Sequence, residues 1–259
     1  FAKQLSLFGD VYVNDGFGVS HRAHASVEAI TKLLPSFAGF VLEREIKVLS
    51  SVLNDAQPPL CVVIGGAKIS TKMKLIQQFL KKADSLLLGG ALANTVLHAQ
   101  GIAVGKSLIE KGMGPEIRQL NITDTKLHLP VDALASSEKD GSAFITTAPI
   151  GKTGADELIL DIGPDTVDLF GRVIKCSKTV IWNGPMGLFE VDDFACGTKA
   201  VAEAIVQSKA FSVVGGGETT CFLEKIKLID KFSHVSTGGG AMLEFLAGEK
   251  LPGLEALER

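Results

Sequence analysis

The sequence predicts an α/β protein built on an open, doubly wound parallel sheet. Three observations predict it. Short β-rich runs alternate with helical patterns nearly to the end of the 259 residues, the order that builds such sheets. Several of these runs are unbroken apolar stretches, as strands buried on both faces of a parallel sheet require. Glycines recur just after the strands, at Gly65-Gly66, Gly89-Gly90, Gly184, Gly215-Gly216-Gly217 and Gly238-Gly239-Gly240.

In chain order, strands are expected at residues 10–14, 60–64, 85–89, 127–131, 179–183, 211–215 and 233–237. Helices fit residues 38–54, 70–82, 91–99, 106–120, 164–175, 192–208 and 219–228. The run 38–54 is long and amphipathic, follows Pro35 and precedes Pro58-Pro59. A strand and a loop lie before it, outside the main alternating series, which favours a helix joining two domains over an ordinary surface helix.

Position makes the glycines informative. In an open parallel sheet the ligand crevice lies at the carboxyl ends of the strands. Glycine there lets a ligand approach the backbone and leaves N–H groups of the next helix free to meet an anion. Tight βα turns favour glycine anyway, but five clusters at the same end of one sheet point to an anionic ligand. The stretch "VVIGGAKISTKMK" (62–74) is one such edge, although it is not a G-x-x-x-x-G-K-[ST] loop. No G-x-G-x-x-G with a later acidic residue follows a strand, which argues against a dinucleotide oxidoreductase.

Composition narrows the class. Hydrophobic residues make up 46% and charged residues 21%, the balance of a globular protein with a sizeable core. With 26 basic against 29 acidic side chains the net charge is −3. We therefore expect no nucleic-acid and no membrane partner. No apolar run approaches a membrane span, and no charged-then-apolar leader opens the given sequence. The four cysteines match no metal-ligand spacing and fit a reducing, cytoplasmic setting. The opening "FAKQLSLFGD" lacks an initiator Met and reads as a helix end running into a strand. We expect the C-terminal portion of a longer protein.

Five motifs, "GDVYVNDGFGVSHRAHAS" (9–26), "IGGAK" (64–68), "IWNGPMGLFE" (181–190), "VVGGGET" (213–219) and "HVSTGGGAMLEFLAG" (234–248), occur in one order. In that order they closely resemble the C-terminal two-thirds of phosphoglycerate kinases. The resemblance implies a complete Rossmann-like nucleotide-binding domain at 58–246, preceded by the tail of a substrate (3-phosphoglycerate) domain at 1–37 and an interdomain hinge helix at 38–57. Residues 247–259 resemble the segment that returns to the substrate domain. It further implies reversible phosphoryl transfer from 1,3-bisphosphoglycerate to Mg-ADP, giving 3-phosphoglycerate and ATP, by a cytoplasmic monomer. The family's upstream substrate motifs are not in this chain, and the isolated chain is therefore expected to be inactive. The rival reading is a nucleotide-binding module that does not catalyse transfer by itself.

The resemblance also assigns roles. Lys68 and Lys72, four apart and so expected on one helical face, fall near the nucleotide phosphates, with Lys72 meeting the transferring group; two solvated lysines would share that spacing. Gly217 and Gly240 join Lys72 as catalytic positions. Gly66, Gly216, Gly217, Glu218 and Thr219 line the phosphates. Gly89, Gly90 and Leu160 wall the adenine slot. Asn183 and Pro185 contact the nucleotide, and Glu190 binds the ribose hydroxyls, two of which suit one carboxylate. Arg22 is the substrate-binding arginine, a fork that matches a phosphate or carboxylate; His21 and His24 are read as structural. Glu218 stands where most of the family carries Asp, and is expected to meet Mg²⁺, to cap the following helix, or both.

Overall fold

The computed structural model describes residues 1–120 and 125–258. They form two compact units, residues 1–56 with 236–259 and residues 57–235. The first unit opens with the short helix α1 (Ala2–Leu5). Strands β1 (Tyr12–Asn14) and β2 (Ser36–Ala38) then pair in parallel, Val13 opposite Phe37. Helix α2 (Phe40–Asn54) follows and buries Leu42, Glu45, Leu49 and Val52. These positions recur at spacings of three and four, the stripe expected of an amphipathic helix. Asp15 accepts the Leu42 amide at 2.9 Å and caps α2 from outside the helix.

The second unit is a six-stranded parallel sheet with helices and a smaller sheet. In chain order it comprises β3 (Leu60–Ile64), α3 (Met73–Lys82), β4 (Ser85–Leu88), α4 (Gly90–Ala99), α5 (Gly114–Gln119) and β5 (Leu127–His128). Next come β6 (Asp132–Ser136), β7 (Thr146–Pro149), β8 (Leu158–Ile162), α6 (Pro164–Lys175) and β9 (Thr179–Asn183). The series ends with α7 (Cys196–Ser208), β10 (Phe211–Gly215), α8 (Gly217–Lys225) and β11 (His234–Ser236), which reaches the boundary between the units. The last helices, α9 (Gly239–Leu246) and α10 (Pro252–Glu255), belong to the first unit, where Phe245 meets Phe17 edge-on.

Every residue of β3 and β9 is buried, which is why these strands read as continuous apolar runs. Trp182 of β9 packs in one cluster with Val63, Leu87, Phe170, Ile174 and Ile205. The sheet order is β11-β10-β9-β3-β4-β5. The chain starts at β3, builds outward through β4 and β5, and re-enters on the other side of β3 at β9. That reversal puts a topological switch point between β3 and β9, where open α/β sheets bind ligands.

Several expected elements differ. A helix over 106–120 shrinks to α5; the preceding segment is irregular and hydrogen-bonded to its neighbours instead. The strand expected at 127–131 stops at His128. Three unexpected strands, β7-β6-β8, form an antiparallel sheet. Their sequences, DALAS, TTAP and LILDI, carry alanine, proline and aspartate, which are depleted in strands. Asp132 explains its own place: its carboxylate accepts the Asp165 and Thr166 amides at 3.0 and 2.8 Å, capping α6 in place of an N-cap side chain. Residues 236–246, expected with the nucleotide domain, pack in the first unit. There Met242 and Leu246 are buried, and Glu45 accepts the Thr237 hydroxyl at 2.8 Å.

Candidate functional site

At the switch point three glycine turns interlock. The Gly65 amide donates to the Asn183 carbonyl (2.9 Å), and the Gly66 amide to that of Pro185 (2.8 Å). From the next turn the Gly90 amide donates to Met186 (2.9 Å), and Leu92 reaches back to Gly66 (2.9 Å). Gly184 has φ +93°, and a Cβ there would lie 2.2 Å from the Gly65 carbonyl oxygen. No side chain fits so close an approach. The turn after β9 is tied to α8 as well: the Gly184 amide donates to the Thr219 hydroxyl (2.8 Å), and the Asn183 amide group to the Gly215 carbonyl (2.8 Å).

Lys72 sits beneath these turns. It is nine-tenths buried, and its ammonium donates to the Gly65 carbonyl. Burial pushes its pKa down to about 8, with the charge of Glu218 pulling the other way. The ammonium lies 3.0 Å from the place a Cβ on Gly66 would take, and a Glu218 carboxylate oxygen lies 4.0 Å from that same place. A buried cation and an exposed carboxylate thus flank one bare glycine. Glu218 stands in the first turn of α8, whose N-cap Gly216 has φ +105° and offers no side chain. Backbone N–H groups and the helix dipole are left facing outward.

A cleft opens from this point along β8. Gly66, Gly90, Leu160, Pro185, Glu190 and Glu218 line it. Its remaining wall is mostly apolar, with Met186, Leu188 and Ile150 among its members, the character of a site that holds a flat, weakly polar group. The Leu188 amide donates to the Leu160 carbonyl at 2.7 Å and ties the turn to the strand. Sequence reasoning gave Asp161 no role of its own. It is 1% exposed, accepts the Gly197 amide at 2.7 Å and lines the same cleft. Burial pushes its carboxyl up to about 7 against the Gly197 and Ile162 hydrogen bonds. An acidic residue inside an otherwise apolar strand was the available signal.

The other expected residues fall in different surroundings. Thr219 and Gly89 are buried, whereas Lys68 and Gly217 are exposed. Lys68 and Lys72 do not share a helical face, because α3 begins only at Met73, after a 3₁₀ turn over Ser70–Lys72. Arg22 and Gly240 lie in the first unit. There the Arg22 Nε donates to His21 Nε2 at 3.2 Å, and His21 Nε2 approaches to 3.3 Å of where a Gly240 Cβ would stand. Among the described residues no helix is long and apolar enough to cross a membrane.

The family model described as phosphoglycerate kinase matches residues 1–249. The chain belongs to the phosphoglycerate kinase family. It is 47% identical to the phosphoglycerate kinase of Desulfosudis oleivorans, with 100% of this chain and 67% of that one covered. With that of Herpetosiphon aurantiacus it shares 46% identity over 99% and 66% of the two chains. Among solved structures, the phosphoglycerate kinase from Coxiella burnetii superposes with a TM-score of 0.91 at 40% identity, covering 99% of this chain and 67% of that one. The enzyme from Pyrococcus horikoshii superposes with 0.86 at 33% identity, covering 99% and 65%. The chain spans about two thirds of the length of these phosphoglycerate kinases.

Proposed function

We propose that the second unit is the Mg-ADP/Mg-ATP site of a phosphoglycerate kinase, and that the chain serves reversible phosphoryl transfer between 1,3-bisphosphoglycerate and ADP. One observation carries the reading. A buried lysine, an acidic residue at a helix start and an apolar cleft meet at the switch point of one sheet. In the transfer, a terminal oxygen of ADP attacks the acyl phosphorus, the bond to the carboxyl oxygen breaks, and 3-phosphoglycerate leaves as a carboxylate. Such a step asks for positioning and positive charge on the moving oxygens rather than for a nucleophilic side chain.

In this reading Lys72 supplies that charge, and its low pKa reflects the water-poor place where the charge acts most strongly. Lys68, the side-chain-free turn at Gly66 and the amides at Gly216–Thr219 hold the phosphates. Asn183 and Pro185 shape the nucleotide turn, the adenine lies between Gly89-Gly90 and Leu160, and Glu190 takes the ribose. Glu218 would hold Mg²⁺. Its place beside Lys72 and an anion-facing helix start suits a metal that takes one or two carboxylates and completes its shell with phosphates and water. When bound, the ion neutralises phosphate charge. Arg22 binds the phosphoglycerate, and Gly217 and Gly240 offer backbone at the reacting group. The proposal includes a cytoplasmic monomer without nucleic-acid or membrane partners, in keeping with the net charge of −3.

Calorimetric titration of the 259-residue chain with Mg-ADP tests the reading, with NAD as the contrasting ligand. Binding of Mg-ADP that Lys72→Ala weakens is the expected result. A chain that ignores Mg-ADP, or that prefers NAD, overturns it.

A further inference from the structure

The segment 101–113 has no regular structure, yet it is stitched to three parts of the second unit. At its start the Lys106 amide donates to the Glu157 carbonyl (2.8 Å), and the Ser107 hydroxyl accepts the Ile159 amide (2.8 Å), so the segment grips the strand that walls the cleft. Further on, the Glu110 amide donates to the Thr95 hydroxyl at 3.0 Å and fastens the segment to α4. The Glu110 carboxylate then reaches the lysine turn. It accepts the Ser70 amide at 3.0 Å and the Ser70 hydroxyl. Ser70 opens the 3₁₀ turn that ends at Lys72.

The geometry of residues 65–72 makes that contact matter. The segment is a closed loop: the Lys72 ammonium returns to the Gly65 carbonyl, and the Lys72 amide closes on Ile69 at 2.9 Å. Nothing in the 3₁₀ turn itself caps its first amides. Glu110 does so from forty residues away. Burial alone would raise its pKa, but the Ser70 and Ile69 hydrogen bonds and the nearby Lys68 ammonium outweigh that and hold it below the usual carboxylate range. It is therefore an anion across the physiological range, and its hydrogen bonds are of the charge-assisted kind.

We propose that Glu110 is a positioning residue for Lys72 and Lys68, clamping the outer end of the lysine turn to α4. The inference rests on the reading of this unit as the Mg-ADP site. To meet a phosphate, the Lys72 ammonium, which has three N–H donors and gives one to the Gly65 carbonyl, must exchange its present surroundings for phosphate oxygens. A fixed pivot at Ser70 keeps that exchange from becoming a rearrangement of the whole loop. Two charge-assisted hydrogen bonds anchored on a helix are enough to hold such a pivot, and their loss weakens ligand binding by roughly five- to tenfold.

The experiment compares Glu110→Ala and Glu110→Asp with the unaltered chain. Two readouts are used: calorimetric Mg-ADP binding, and the titration of the Lys72 ammonium followed by NMR of ¹³Cε-lysine. Glu110→Ala should bind Mg-ADP about five- to tenfold more weakly. In the same variant the Lys72 signal should move back towards an ordinary lysine titration as the turn loosens into water. Glu110→Asp should recover part of both. Unchanged binding and an unchanged Lys72 titration overturn the inference, and so does weaker binding without any change at Lys72. If the unaltered chain does not bind Mg-ADP, the nucleotide reading fails, while the Lys72 titration still decides whether Glu110 positions the turn.

Discussion

Replacing Lys72 by Met should make the fold more stable while destroying the site. The lysine is buried, and its pKa falls from the ordinary 10.5 to about 8. At about 1.4 kcal/mol per unit, that shift corresponds to roughly 3 kcal/mol held against the folded state when the amine is charged. Methionine fills similar space without the charge but loses the hydrogen bond to the Gly65 carbonyl, worth about 1 kcal/mol. A net gain of about 2 kcal/mol near neutral pH follows. The sign with pH is definite. Between about 8 and 10.5 the unfolded chain binds more protons than the folded one, so wild-type stability rises through this window while that of Lys72→Met does not. The advantage of the variant should shrink by about 2 kcal/mol between pH ~7 and pH ~9.5. Urea unfolding followed by the fluorescence of Trp182, the single tryptophan, reads out this unit directly. A variant less stable than wild type at neutral pH, or one whose advantage does not change with pH, would refute the reasoning.

Three further outcomes follow from the same geometry. Gly184→Ala forces a Cβ to within 2.2 Å of the Gly65 oxygen and 2.7 Å of the Lys72 ammonium at φ +93°; a loss of about 2–4 kcal/mol is expected in unfolding experiments, and an unchanged melting curve contradicts it. Glu218→Gln should raise the Mg²⁺ requirement for ADP binding sharply while Glu218→Asp stays close to wild type; a Gln variant indistinguishable across a Mg²⁺ titration leaves Glu218 only the role of a helix cap. Asp161, pushed up to about 7, favours its protonated form in the fold, so its contribution is full below the ordinary 3.8 and lost as pH rises through about 7. Asp161→Asn should therefore flatten part of the stability change across that window, and parallel curves for the two proteins would show that this carboxyl ionises normally.

The sequence by itself determined the sheet and the glycine turns at the ends of its strands. Residues 60–64, 179–183 and 211–215 became strands with the expected ends, because central parallel strands are buried on both faces and leave an unbroken apolar signature. Residues 164–175 became a helix as expected, their apolar stripe and opening proline being local signals. The glycine pairs marked the carboxyl ends of those strands because close backbone approach leaves no room for a side chain. The small antiparallel sheet was not legible. Strands DALAS and LILDI are held by pairing between residues more than twenty positions apart, as far as Ala133 with Ile162, and by Asp132 and Asp161 serving as remote helix caps, roles that local propensity cannot express. The spacing of Lys68 and Lys72 suggested a shared face, but the late start of α3 separated them into one exposed and one buried lysine. Glu110 was invisible for the same reason. Its function as a cap depends on a partner forty residues earlier, and only the tertiary structure, which brings distant backbone donors to a carboxylate, decides which acidic residue is a cap and which is merely solvated.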